Sequence, residues 1–562
     1  MDTPETAAFE PPPSHASAWP APSQPDVPAG LSERTRIGLA VAAVSLGAGI
    51  LADRLVWVPG VALNLLVWTA ALAAVLLALA VWLRLAWTPA RYALLALAVG
   101  CAALAVWRDS ATLKSLAALG WLVAFALVAV AVPGWSLRRL TLFDQAAALV
   151  LAGLNAALAV VPLLAFDVRW REVAAGGRSA RVMALTRGVL IAVPVLALFG
   201  GLLMAADAAF EGIVVNVLRI NLADFIIHSV LSLCLAWFVA GYLRGALLGG
   251  GLPRRPSLGA VSGAQVGSRA VGSALTQAGR EVDAAVGALF RLGAVEIGVV
   301  LGLLDALFLG FVLVQFRYFF GGAALVETSV TLTYAEYARR GFFELVWVAG
   351  LALSLLLALH WLLRPGDRRA ARWFAALAAL QIMLLFVIMA SAVERMRLYV
   401  GEFGLTELRL YTTAFVGWLA VVLVWFAATV LRGRRAEFAF GAFVAGYLLT
   451  LGLHALNPDA LVVRINVERA QAGARFDAGY AASLSADAVP ALVAALPDLS
   501  PADRYPIQQR LERRGSYTSA DWRTWSLSRA AAEAAVDGYT PLPDERPAPT
   551  PGRQPRATPS PR

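Results

Sequence analysis

About a dozen apolar runs, each roughly 17–25 residues long, dominate this chain, and each is long enough to cross a ~30 Å hydrocarbon layer as a helix. Lipid offers no partner to a backbone N–H or C=O, so a run crossing it must satisfy these groups within itself, and the α-helix does so. The candidate spans are 37–52, 60–83, 92–107, 115–133, 146–166, 187–206, 225–247, 293–314, 343–363, 373–393, 411–431 and 437–455. The predicted class is therefore all-α: a polytopic helical membrane protein of about 12 spans, with a small helical extramembrane domain at its C-terminal end.

Only 15% of the 562 residues are charged, against about a quarter in soluble proteins. The formal charge of +10 does not imply a nucleic-acid partner, because the arginines lie in short loops beside the apolar runs. The expected partners are the lipid bilayer and other membrane or envelope proteins. Lys114 is the only lysine in an Ala-rich chain, which suggests a GC-rich bacterial genome and hence a multi-pass protein of the bacterial inner membrane.

Arginine placement also predicts orientation. Arg169, Arg171, Arg178, Arg181 and Arg187 follow the fifth span, and Arg254, Arg255, Arg269, Arg280 and Arg291 follow the seventh. Later connectors on that side hold Arg364, Arg368, Arg369 and Arg372, then Arg432, Arg434 and Arg435. That side should be cytoplasmic, with the C-terminus extracytoplasmic. The expected organisation is a disordered Pro-rich tail (1–34), a first transmembrane half (35–248) and a Gly/Ser/Ala-rich cytoplasmic linker (249–292). A second half (293–456), a small helical extracytoplasmic domain (457–538) and a Pro-rich tail (539–562) follow. The N-terminal segment lacks a basic start followed by a short apolar core, so no cleavable signal peptide is expected. Within 457–537, Asn457 before Pro458, Ser485 before Asp487, Ser500 before Pro501 and Ser519 before Asp521 read as starts of short helices.

The densest cluster of aromatic, Gly, Arg and Glu residues lies at 315–344. Thr333 and Glu336 have capping-box spacing, so a long helix should begin at Tyr334 and run to about Leu363. Gly321 and Gly322 permit a sharp turn before it. Arg317, Tyr334, Glu336, Tyr337, Arg339 and Glu344 would then sit at the outer surface with Asp207 and Glu211, four residues apart at the end of the sixth span. These eight are the candidate functional residues of the outer face. Glu296 and Asp305 are the candidate intramembrane ionisable groups; a charged Asp at mid-membrane costs about 2.5–3.5 kcal/mol, so Asp305 must be neutral, paired or facing water.

Cys101 and Cys234 both lie inside apolar runs and form no metal-ligand or disulfide pattern. The four histidines include no paired zinc spacing, and there is neither a phosphate-binding loop nor a nucleophile elbow. No cofactor, metal or catalytic residue is expected, and an enzyme is disfavoured. The remaining function classes are a sensor, scaffold or assembly factor of the cell envelope and, as the alternative, a secondary transporter or lipid-handling protein using Asp305.

Several segments resemble uncharacterised bacterial multi-span membrane proteins known only as domain-of-unknown-function family 4173, related to family 4153. The match is carried by Pro194 with Asp207-Ala-Ala-Phe210, by Gln315-Phe-Arg-Tyr-Phe-Phe-Gly-Gly322 and by Thr333-Tyr-Ala-Glu-Tyr-Ala-Arg-Arg-Gly-Phe342. Asn457-Pro-Asp459 with Asn466 completes it, over about residues 140–500. The resemblance implies an integral membrane protein and carries no reaction with it.

Overall fold

A computed structural model describes residues 31–58, 60–85, 87–131, 138, 142–175, 222–248, 291–320, 342–364, 366–513 and 521–539. The expected span 187–206, the tails, most of the linker and the 321–341 segment lie outside them.

Ten described helices are long and apolar enough to cross a membrane. They are α1 (Glu33–Val56), α2 (Leu63–Trp82), α3 (Pro89–Trp107), α4 (Ala111–Val130), α8 (Leu222–Leu248), α9 (Ala294–Phe320), α10 (Phe342–Leu362), α11 (Arg368–Phe403), α12 (Glu407–Thr429) and α13 (Phe438–Leu456). Between α4 and α8 lie α5 (Leu142–Leu158), a short α6 (Val160–Pro162) that passes into a π-turn at Leu163–Asp167, and α7 (Trp170–Ala175). The stretches Leu149–Leu158 and Val160–Asp167 pass the same test together but are bent by 42°, giving an eleventh span or a re-entrant loop. Among the described residues no strand forms, and the chain is an all-α multi-pass membrane protein.

Local chemistry sets the helix ends. Thr88 caps α3 by accepting the Arg91 N–H, with Pro89 in the first turn. Asp367 caps α11 through the N–H groups of Arg369 and Ala370, both at 2.9 Å. Glu296 lies exposed in the first turn of α9 and reaches back to the Gly293 N–H at 3.0 Å, the carboxylate half of a capping box.

The described residues of Met1–Ala40 and Leu164–Arg219 form one compact unit, and those of Val41–Leu163 and Ile220–Arg562 form another. In the first, Asp167 takes the Arg34 guanidinium at 2.9 Å. Glu172 collects the Ser32 and Thr35 hydroxyls at 2.6 and 2.7 Å.

In the second unit, α9–α12 share a core built on Leu301, Leu356, Phe374, Leu385, Leu423 and Phe426. Lipid tails are as apolar as these side chains, so association here rests on close packing, and fully buried Ala349 and Ala378 let backbones approach. The starts of α9 and α11 lie at one end: Leu292 pairs with the backbone of Leu362 and Arg364, just before α11 begins. At 36 residues and 1.5 Å each, α11 is about 54 Å long, well beyond the ~30 Å core.

Five short helices follow: α14 (Pro458–Gln471), α15 (Ala478–Ser483), α16 (Val489–Ala495), α17 (Pro501–Arg513) and α18 (Leu527–Asp537). They gather around their own apolar centre, which includes Val462, Val463, Ala488, Leu492, Leu496 and Ile507. Asn457 is at once the left-handed residue that ends α13 (φ 53°) and the cap that starts α14, its Oδ1 accepting the Ala460 N–H.

Candidate functional site

The site is assembled where the C-terminal helices meet one end of the membrane bundle. Helix α4 begins at Ser110, whose own side chain does not cap it. The cap comes from far along the chain: Asp487 Oδ2 accepts the N–H groups of Asp109 (2.8 Å) and Ser110 (2.7 Å). An anion is favoured there because the first N–H groups of a helix are unpaired and carry its positive dipole end. Asp487 Oδ1 accepts the Ser528 hydroxyl and lies 3.7 Å from the Arg108 guanidinium. Arg108 also donates to the His454 carbonyl at 2.8 Å. Asp109 in turn holds Lys114 (2.6 Å) and Arg529 (3.0 Å). Residues of the α3–α4 turn, α13, the 485–487 turn and α18 thus share one network.

Beside it, Asp459 on α14 is fully buried. Its Oδ2 accepts the Ser485 N–H at 3.1 Å and the Ser485 hydroxyl, which also lies 3.1 Å from Asp487 Oδ2. Burial pushes the Asp459 carboxyl above the usual carboxylate range, against the Ser485 hydrogen bonds that lower it. Glu407, the first residue of α12, stands against Asp459, and its backbone N–H donates to the Tyr480 hydroxyl at 2.8 Å. Tyr411 meets the Ser110 hydroxyl at 3.2 Å.

The α11–α12 turn is read by Asn466 on α14. Its amide accepts the Leu405 N–H at 2.7 Å and donates to the Leu405 carbonyl at 2.8 Å. Arg469 Nη2 donates to the carbonyls of Gly401 (2.6 Å) and Glu402 (3.0 Å). The turn closes through Gly404 at φ 80°, ψ 172°, a region open essentially to glycine alone.

A third buried acid lies at this end of the second unit. Asp53 of α1 is 1% exposed and accepts His228 Nδ1 at 2.9 Å and Trp57 Nε1 at 3.0 Å. The Trp57 and His228 rings stand 4.7 Å apart. The neighbouring Arg54 carbonyl accepts Arg523 Nη1 from the turn before α18.

Of the outer-face residues expected from the sequence, Asp207, Glu211, Tyr334, Glu336, Tyr337 and Arg339 lie outside the described residues. Arg317 falls in the last turn of α9, and Glu344 is exposed in the first turn of α10. Asp305 is buried in the stripe of α9 that also holds Ile297, Leu301, Phe308 and Val312, and among the described residues neither of its carboxyl oxygens has a hydrogen-bond partner. Sequence reasoning missed Gln381 on α11, which is fully buried with both amide atoms unpartnered. It also missed Asp459, Asp487 and Asn466 as structural hubs, although Asn457-Pro-Asp459 and Asn466 belong to the motif that carried the resemblance. Among the described residues, no group of three His, Cys, Asp or Glu could hold a metal ion.

No curated protein and no solved structure matches the chain. The family described as "Domain of unknown function (DUF4153)" matches residues 93–495; membership of the related family 4173 is not shown. That match runs from α3 through α16, taking in both the α3–α4 turn and the 485–487 turn that caps it, and the chain belongs to the DUF4153 family.

Proposed function

We propose that the protein is a sensor, scaffold or assembly factor of the bacterial cell envelope, presenting the 457–538 helices on the extracytoplasmic side of the inner membrane. The observation that carries this reading is the Asp487 network. A domain with its own apolar core is fixed to the ends of α3, α4 and α13 by buried charge-assisted bonds. Such bonds are shorter and stronger than neutral ones, and they favour a fixed presentation of the domain over free movement. Arg291, Arg364, Arg368, Arg369 and Arg372 collect around the starts of α9 and α11; with the positive-inside rule this supports a cytoplasmic position for that end.

The test is genetic and topological. A strain lacking the chain should show an envelope defect that wild type restores and that a chain carrying Arg108→Ala with Asp487→Ala does not. A C-terminal phosphatase fusion should be active; an inactive one would overturn the outward placement.

A second reading, proton-linked transport or lipid handling through Asp305, is favoured by one observation. Asp305 is the twelfth residue of α9 and Gln381 the fourteenth of α11, so they lie about 17 and about 20 Å from helix starts at one common end. Both are buried at similar depth, and among the described residues no side-chain polar atom of either has a partner, an arrangement that a passing ion or water would satisfy. Loss of complementation in Asp305→Asn, with the protein still folded, would favour this reading over the first.

A further inference from the structure

Glu407 and Asp459 face one another across the contact between α12 and α14. Among the described residues, Asp459 Oδ1 is buried and has no hydrogen-bond donor. The Glu407 side chain stands against this same carboxyl. Two ionised carboxylates in such contact repel, and exclusion of water makes the repulsion costly. With one proton between them, one acid becomes a donor and the other an acceptor, and the contact turns attractive.

The surrounding charges do not offer another remedy. On α12, the Arg409 guanidinium donates to the Gly404 carbonyl and stacks 4.0 Å from the centre of the Tyr399 ring. From the α3–α4 turn, Arg108 is held by Asp487 and the His454 carbonyl. The 485–487 turn adds a further anion, Asp487, and a neutral hydroxyl, Ser485. From α15 comes the neutral Tyr480, and Tyr411 and Ser110 contribute only hydroxyls. The direction in which burial moves the Asp459 carboxyl agrees with a retained proton.

We propose that Glu407 and Asp459 together bind a single shared proton, and that this proton latches the C-terminal helices to α12. Loss of the proton leaves two anions pressed together at the α12–α14 contact, which relieves the repulsion by opening to water. The Asn466 and Asp487 bonds then hold a loosened junction. This latch rests on the reading of the junction as a fixed dock and adds to it a chemical signal, the acidity of the surrounding medium.

The test uses the full chain in lipid nanodiscs, with amide-exchange protection factors for Leu461–Val467 measured at about pH 6 and about pH 9. Protection should fall by about tenfold or more at the higher pH, as the pair loses its proton. Glu407→Gln and Asp459→Asn each place an amide donor where the proton sits, so both variants should stay protected at both pH values. A wild type whose protection is independent of pH, variants that keep its slope, or two variants that are both unprotected at the lower pH would each overturn the latch. A pH slope in a chain whose undocked variant complements fully would preserve the latch and overturn the scaffold reading.

Discussion

Asp487 accepts the backbone N–H of Ser110 at 2.7 Å across a sequence separation of 377 residues. One carboxylate thereby caps a membrane helix and anchors the C-terminal helices to it. Substituting Asp487→Ala would leave the N–H groups of Asp109 and Ser110 without their acceptor and take the carboxylate away from Arg108 and Ser528, which keep the His454 and Trp107 carbonyls. The expected cost is about 3–5 kcal/mol, read as a lowered melting temperature in detergent and early proteolysis after Leu456. Asp487→Asn should cost less, because its carbonyl still accepts from Ser110.

Gly404→Ala should loosen the α11–α12 turn. The position is at φ 80°, and an added Cβ would meet Asn466 Oδ1 at 2.7 Å and Arg469 Nη1 at 2.8 Å. Strain of about 1–3 kcal/mol is expected from the backbone alone. Asn466→Ala removes both bonds to Leu405, and the unpaired backbone groups should cost a comparable amount. Thermal unfolding of the two single variants and the double variant would show less than additive losses, since both act on one turn.

Asp305→Asn should leave folding intact or improve it, since an amide needs no proton to be neutral in the membrane core. Under the scaffold reading it should also complement fully. Replacing Asp305 and Gln381 together by Leu should raise the melting temperature, because four orphaned polar atoms give way to packing atoms. A lowered melting temperature in that double variant would show that the two groups have partners in the membrane.

Glu172 predicts a distinct acid response. The Ser32 hydroxyl first, then that of Thr35, holds its carboxyl down to about 2, below its ordinary value. A depressed carboxyl stabilises the fold above its unfolded pKa, and that stability is lost as pH falls through the folded value. Protection of the first-turn amides of α1 should therefore hold at neutral pH and weaken as pH falls from about 4.5 toward about 2. In Ser32→Ala the weakening should be smaller and should be complete at a higher pH.

The membrane helices were legible because lipid imposes one local rule, a long apolar run without breaks. The starts of α14 and α17 were legible for a similar reason: Asn457 and Ser500 act on N–H groups three residues ahead. The junction was not. Nothing in the Ala-rich sequence around Asp487 marks it as the cap of a helix that begins near residue 110. Gln381 is visible as a lone amide in an apolar run, but its lack of a partner is a property of packing. Asp305 stood out because a carboxyl in lipid is costly wherever it points, whereas Asp459 sits in a polar stretch where acids are commonplace and only burial distinguishes it.

Asn457 belongs to two helices at once, ending α13 and opening α14. No linker of even one free residue separates them, so there is no slack in which movement of α13 could be lost. A change in the tilt of α13 as the bilayer thins or thickens is therefore passed directly to α14 and, through the Asn466 and Arg469 bonds, on to the α11–α12 turn.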